Sequence, residues 1–205
     1  GHQTSDPRIY AVGDLVEVTE PILGGPAFVP LGGPANRQGR LVADRIAKQE
    51  DADAFQNEAL VYRGSQGTSI VRVFELSAGM TGLSEKSLAR LNKTRDEDYG
   101  VVYAHPNNHA GYYPGATPVS MKLIYEKPSG RVLGAQAVGR QGIDKRIDVI
   151  AMAIQMKATV FDLEQAELCY APPFGSAKDP VNIVGFMAAN AIRGLTNPIH
   201  FKDLP

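Results

Sequence analysis

Residues 119–138 read VSMKLIYEKPSGRVLGAQAV. Two apolar runs, Val119 to Tyr125 and Val132 to Val138, flank Glu126-Lys127-Pro128-Ser129-Gly130, whose Pro and Gly suit a hairpin connection. The pattern predicts two antiparallel strands joined by that turn. Working outward, Tyr99 to Ala104 and the period-2 stretch Thr68 to Leu76 (TSIVRVFEL) are further strand candidates. Helices are expected over Ser84 to Lys93, capped by Ser84, over Ile143 to Met156 and over Val160 to Glu167. A last helix, Pro180 to Arg193, has Asp179 as its cap, Pro180 at its first position and Gly194 closing it. Strands that cluster before most of the helices argue for an α+β class with an antiparallel sheet. The sequence contains no internal repeat and no low-complexity tract.

The N-terminal stretch reads differently. Arg8 to Asp14 (RIYAVGD) suggests a short buried strand whose tip carries an acid, and a loop with Pro21, Gly24, Gly25 and Pro26 follows. From Pro34 to about Lys48 the spacing of Leu41, Val42, Arg45 and Ile46 turns helical. One strand and one helix are too little for a domain, so this stretch is expected to be the tail of a larger α/β unit. The polar segment 51–66 is expected to connect it to the second unit, and residues 196–205 to form a linker or tail.

Composition narrows the function classes. The chain has 205 residues, 21 basic against 22 acidic side chains, and a formal net charge of -1, so it carries no overall basic field for nucleic acid. A single cysteine forbids an internal disulfide, and neither a membrane span nor a secretion leader is expected, so a reducing, cytoplasmic setting is the default. The opening Gly1-His2 resembles a purification-tag scar.

Three stretches could carry chemistry. Gly13-Asp14 at a strand tip would let a ligand approach the backbone while the carboxylate accepts from a sugar or ribityl hydroxyl. Pro30-Leu31-Gly32-Gly33-Pro34-Ala35-Asn36-Arg37 is a Gly-rich helix entry whose free amides favour a negative group. In the second, His105-Pro106-Asn107-Asn108-His109-Ala110-Gly111-Tyr112-Tyr113-Pro114-Gly115, the two histidines suit a metal only on a helix, and Pro106 argues for a loop, so no metal is expected. The adjacent tyrosines read first as packing. The third, Glu167 to Asn182, holds Cys169, Tyr170, Ser176 and Lys178 in a loop stiffened by Pro172 and Pro173, and anchoring of the last helix accounts for it.

In this order and spacing the stretches resemble the C-terminal part of the coenzyme A-disulfide reductase and NADH oxidase group of pyridine nucleotide-disulfide oxidoreductases. The carriers are IYAVGD at 9–14, GPANRQGR at 33–40, HAGYYPGA at 109–116, LGAQAVG with DKRIDV within 133–149, and YAPPFGSAKDPVN at 170–182. The resemblance implies that residues 1–50 are the end of an FAD-binding domain and residues 67–195 a dimerisation domain. The family's dinucleotide fingerprints and redox cysteine belong to an N-terminal region outside this sequence, so the chain alone is expected to be inactive and to retain no cofactor.

It further implies that Gly13 and Asp14 meet the flavin's ribityl chain, and that Leu31, Gly32 and Ala35 direct amides at the flavin pyrimidine edge. Tyr112 and Tyr170, with Tyr113 as the alternative to Tyr112, are implied to reach across a homodimer to the partner's flavin and redox cysteine. Asn36 and Arg37 are the candidates for contacting coenzyme A, with Lys145, Arg146 and Lys178 behind them. A solvated helix start, paired with Asp144 or Asp148, is the plainer reading of Lys145 and Arg146. Cys169 is a departure from the family pattern and is not its redox cysteine. The implied whole is an FAD- and NAD(P)H-dependent reductase of coenzyme A disulfide or persulfide. The alternatives are an NADH oxidase reducing oxygen, or a dimerisation module with no ligand of its own.

Overall fold

The computed structural model describes residues 2–47 and 61–203. The chain divides into two units, Gly1–Gly67 and Thr68–Pro205.

The first unit holds a short hairpin, β1 (Val18–Thr19) and β2 (Pro26–Ala27), and one long helix, α1 (Gly32–Ala47). The expected strand at Arg8–Asp14 does not form. Gln3 and Tyr10 make one antiparallel bridge, the Thr4 amide donates to the Ile9 carbonyl at 2.9 Å, and Ile9 is 53% exposed. β-forming residues become a strand only against a neighbour, and here the neighbour is their own preceding turn. Helix α1 starts two residues earlier than expected, and its buried stripe is Pro34, Gln38 and Val42. Its expected last residue, Lys48, and residues 51–60 of the expected connection lie outside the described residues. Past them, Ser65 donates to the Thr19 carbonyl at 3.0 Å, so residues 64–66 run beside β1.

The second unit is a five-stranded antiparallel sheet in the order β3-β4-β7-β6-β5, with β3 Ser69–Val73, β4 Leu76–Gly82, β5 Tyr99–Ala104, β6 Val119–Glu126 and β7 Val132–Gly139. The hairpin at 126–131 closes as the sequence predicts. The expected single strand Thr68–Leu76 is instead β3 plus a tight turn: Val73 pairs with Leu76, and Phe74 takes φ 53° and is 94% exposed. Unbroken alternation hides that turn, which contains no Gly, Pro or Asn. Strand β4 was invisible because its sequence, LSAGMTG, is nearly bare of large apolar residues. It is bare because α3 (Ile143–Gln155) lies on it: a Cβ on Gly79 would come within 2.9 Å of Ile147.

Helix α3 covers β4 and β7, while α5 (Pro180–Ile192) covers β5 and β6 and packs against α4 (Val160–Gln165). Gly185 permits that last packing, since a Cβ there would meet the Glu164 amide nitrogen at 2.6 Å. The inward stripe of α3, including Ile143, Ile147, Ile150 and Ile154, is buried, each side chain contributing about 1.5–3 kcal/mol. On the opposite face of the sheet, α2 (Glu85–Arg90) is tied down by the Glu85 to Lys122 ion pair, while Val71, Val73, Leu76 and Val138 stay exposed. Asn92, in the left-handed conformation at φ 55°, ends α2 before its expected Lys93. The tail is docked onto this unit: Asp203 pairs with Arg95, and His200 lies edge-on to Tyr103 at 5.9 Å. Among the described residues no helix is long and apolar enough to cross a membrane.

Candidate functional site

Two loops of the second unit meet at their tips. The loop between β5 and β6 is closed at its base by Asn108, whose amide donates to the Thr117 carbonyl at 2.9 Å and whose side-chain oxygen accepts from the Thr117 amide at 2.8 Å. The loop between α4 and α5 is closed by Asn182, whose side-chain amide donates to the Leu163 and Ala166 carbonyls at 3.1 and 2.9 Å. The Ala110 amide joins the loops by donating to the Gly175 carbonyl at 2.8 Å. At the tips, the hydroxyls of Tyr112 and Tyr170 are 3.2 Å apart. Both rings are exposed, Tyr112 at 77% and Tyr170 at 50%.

The phenol pair has an electrostatic signature. The hydrogen bond to Tyr170, then partial loss of solvent, raise the Tyr112 pKa above its ordinary value near 10, because both favour the neutral phenol. Tyr112 therefore keeps its proton at neutral pH. Tyr113 instead stacks edge-on against the buried His109 ring at 5.8 Å.

Arg146 and Asp179 lie beneath the loops. The Arg146 Nε and Nη2 donate to the Asp179 carboxylate at 3.2 and 2.8 Å, Nη2 also donates to the Asn108 carbonyl at 2.7 Å, and Nη1 donates to the Gly142 carbonyl at 3.0 Å. Arg146 is 1% exposed, so it neither lies at a solvated helix start nor pairs with Asp144 or Asp148, and it is not a surface contact for coenzyme A. Neighbouring Lys145 donates to the Phe174 carbonyl at 2.9 Å, whereas Lys178 is exposed. Gly142 stands at φ +71°, and a Cβ there would fall 2.2 Å from the Arg146 guanidinium. The signal for Arg146 was present in the sequence: it occupies the isoleucine stripe of α3, three residues after Ile143 and one before Ile147, where a solvated cation has no place.

In the first unit, the Gly13 amide donates to Gln38 Oε1 at 2.7 Å, bringing the Gly13-Asp14 turn against the start of α1 with Asp14 exposed. Gln38, almost fully buried, gives no apolar signal in the sequence because it is a polar residue on the helix's inner stripe. The Leu31 and Ala35 amides are occupied by the Val29 and Leu31 carbonyls, at 2.9 and 3.1 Å, so the amides suited to an acceptor are those of exposed Gly32 and Gly33. Asn36 and Arg37 are exposed on the same helical turn, with the Arg37 guanidinium lying 3.5 Å from where a Gly33 Cβ would sit. No acid lies in the first turn of α1, so nothing there opposes a negative group. Among the described residues no group of three or more His, Cys, Asp or Glu could hold a metal, and His105 bonds to Ser120 rather than toward His109. Cys169 is free and exposed.

Residues 68–180 match the family described as the pyridine nucleotide-disulphide oxidoreductase dimerisation domain. The chain belongs to that family. Among curated proteins, a coenzyme A disulfide reductase of Staphylococcus epidermidis is 36% identical over 186 residues, which cover 91% of this chain and 39% of that protein. Among solved structures, the reduced CoADR-RHD of Bacillus anthracis is 50% identical with a TM-score of 0.87, over 97% of this chain and 33% of that one. A NAD-dependent persulfide reductase from A. fulgidus is 38% identical with a TM-score of 0.86, over 97% of this chain and 34% of that one. This pyridine nucleotide-disulphide oxidoreductase chain thus spans about two fifths or less of its relatives' length, and its α+β unit with an antiparallel sheet is their dimerisation domain.

Proposed function

We propose that the chain is the C-terminal part of an FAD-dependent, NAD(P)H-using reductase of coenzyme A disulfide or coenzyme A persulfide that works as a homodimer. The observation that carries this reading is the exposed phenol pair, the Tyr112 and Tyr170 hydroxyls lying 3.2 Å apart. Reducing a disulfide breaks one S–S bond and consumes two electrons and two protons, one hydride from NAD(P)H and one proton from solvent, to give two thiols. Bound flavin supplies the relay of those electrons. What this chain contributes to that balance is a hydrogen-bond donor for a leaving thiolate: a phenol stays neutral at neutral pH, so it can stabilise the thiolate's charge while keeping its own proton, and solvent then supplies the proton that makes the thiol.

The first unit supports the cofactor half of the reading. Exposed Asp14 can accept from a flavin hydroxyl beside the Gly13 turn, and the Gly32 and Gly33 amides can donate to the electron-rich ring edge. Asn36 and Arg37 are the polar and cationic groups that would meet the phosphates of coenzyme A. In this assignment residues 1–50 end an FAD-binding domain, residues 67–195 form the dimerisation domain, and the chain by itself is inactive and holds no flavin.

In the full-length protein, Tyr170→Phe removes one hydroxyl and keeps the ring, so the step releasing thiol slows by ~10²-fold while flavin reduction by NAD(P)H stays near normal. Tyr112→Phe acts on the same step, and the double variant is less than multiplicative. Stopped-flow absorbance separates the two half-reactions. Slowed flavin reduction with an intact disulfide step, or no change in either, would sink the assignment of the tyrosines.

A further inference from the structure

Below the paired hydroxyls, three contacts hold the tyrosine loops to each other or to α3, and they differ in kind. The Ala110 to Gly175 backbone bond is a single contact about which the loops could swivel. The Lys145 contact to Phe174 comes from an exposed, flexible side chain. The third is Arg146, buried and holding the base of one loop through the Asn108 carbonyl and the base of the other through both carboxylate oxygens of Asp179. Asn108 and Asp179 are themselves hubs. The first closes its loop onto Thr117; the second caps α5 through the Val181 amide at 3.1 Å and, with Asn182, forms the capping box that anchors the loop's far end.

We propose that Arg146 is a positioning residue that locks the β5–β6 loop and the α4–α5 loop in mutual register and so keeps the Tyr112 and Tyr170 hydroxyls paired. A planar fork of fixed N–H directions held at three points removes the rotation that one hydrogen bond leaves free. Stability alone does not call for it. Burying an ion pair costs about as much as it returns, and an apolar side chain of similar volume would serve the isoleucine stripe at least as well. A fold that keeps a guanidinium here gains a defined geometry between two loops that are otherwise joined through the Ala110 to Gly175 backbone bond and the phenol pair. The catalytic consequence rests on the reading given under Proposed function; the positioning itself does not.

The test begins on the chain itself. With 13Cζ-labelled tyrosine, the Tyr112 phenol, assigned by its loss in Tyr112→Phe, titrates above its ordinary value near 10, and Tyr170→Phe brings it back toward that value. In Arg146→Met combined with Asp179→Asn, which removes both charges while leaving a residue able to cap α5, Tyr112 titrates as it does in Tyr170→Phe while far-UV circular dichroism is retained. Arg146→Lys, which keeps the charge and loses the fork, gives the same shift with less risk to folding. Wild-type titration of Tyr112 in either folded variant overturns the proposal. In the full-length protein both variants lower the disulfide half-reaction as Tyr170→Phe does, by ~10²-fold, with flavin reduction unchanged. If the titration shifts but that half-reaction is intact, the positioning stands and the catalytic reading of the tyrosines falls.

Discussion

The two units of this chain use their polar residues in opposite ways. In residues 68–203 the inner faces of five strands and three helices make a continuous apolar core, and its deepest charge, Arg146, is fully paired and ties two loops. In residues 2–67 the only regular pieces described are a short hairpin and one helix, the innermost helix side chain is Gln38, and Ile9, Leu15, Phe28 and Val61 are exposed. The difference teaches that a unit large enough to bury its own sheet can hold rigid geometry at its surface loops, whereas in the first unit the Gly13-Asp14 turn is held to α1 through the Gln38 bond to the Gly13 amide.

The sharpest break would come from separating the units. Expressed alone, residues 68–203 retain one cooperative thermal transition by circular dichroism and residues 1–67 show none, because among the described residues the continuous apolar core belongs to the former. A cooperative melt of 1–67 would erase the contrast.

Next in size is the buried pair. Arg146→Met strands the Asp179 carboxylate and destabilises the second unit by about 3–5 kcal/mol in urea denaturation. The same substitution at exposed Arg37 in the first unit changes stability by less than about 0.5 kcal/mol. Equal effects at the two sites would mean that burial of Arg146 has no energetic content.

The smallest effect concerns a helix cap. Asp162 accepts from the Thr159 amide and hydroxyl, both at 2.7 Å, and the backbone bond, then the hydroxyl bond, hold its carboxyl below the ordinary value near 3.8. A depressed folded value means that this stabilisation is fully present above pH 3.8 and is lost as pH falls through the lower folded value. Asp162→Asn therefore costs less than about 0.5 kcal/mol at pH 7, because solvent screens this exposed carboxylate, and flattens the fall of the melting temperature below pH 3.8. An unchanged slope in that window would assign the acid sensitivity elsewhere.

Much of the fold was legible because it follows from local pattern. Three of the five strands, the 126–131 turn and the caps at Ser84 and Asp179 depend on residues within one or two turns of each other, and alternation, Pro-Gly punctuation and capping chemistry report such neighbours directly. The Tyr112 and Tyr170 stretches were legible as motifs, and so was the Gly-rich entry to α1. What local pattern cannot carry is the identity of a distant neighbour. Strand β4 is made of small residues because α3 lies over it, and the Arg8–Asp14 run fails as a strand because its pairing stops at its own turn. The isoleucine stripe of α3 marks Arg146 as inward, but its partner Asp179 lies 33 positions away, and Tyr112 is one of a pair only because Tyr170, 58 positions on, comes within 3.2 Å. Composition and spacing determine the segments whose signals are local; which small-residue run becomes a strand, which buried charge is satisfied, and which exposed phenol finds its mate are decided by contacts that exist only once the sheet has brought the loops together.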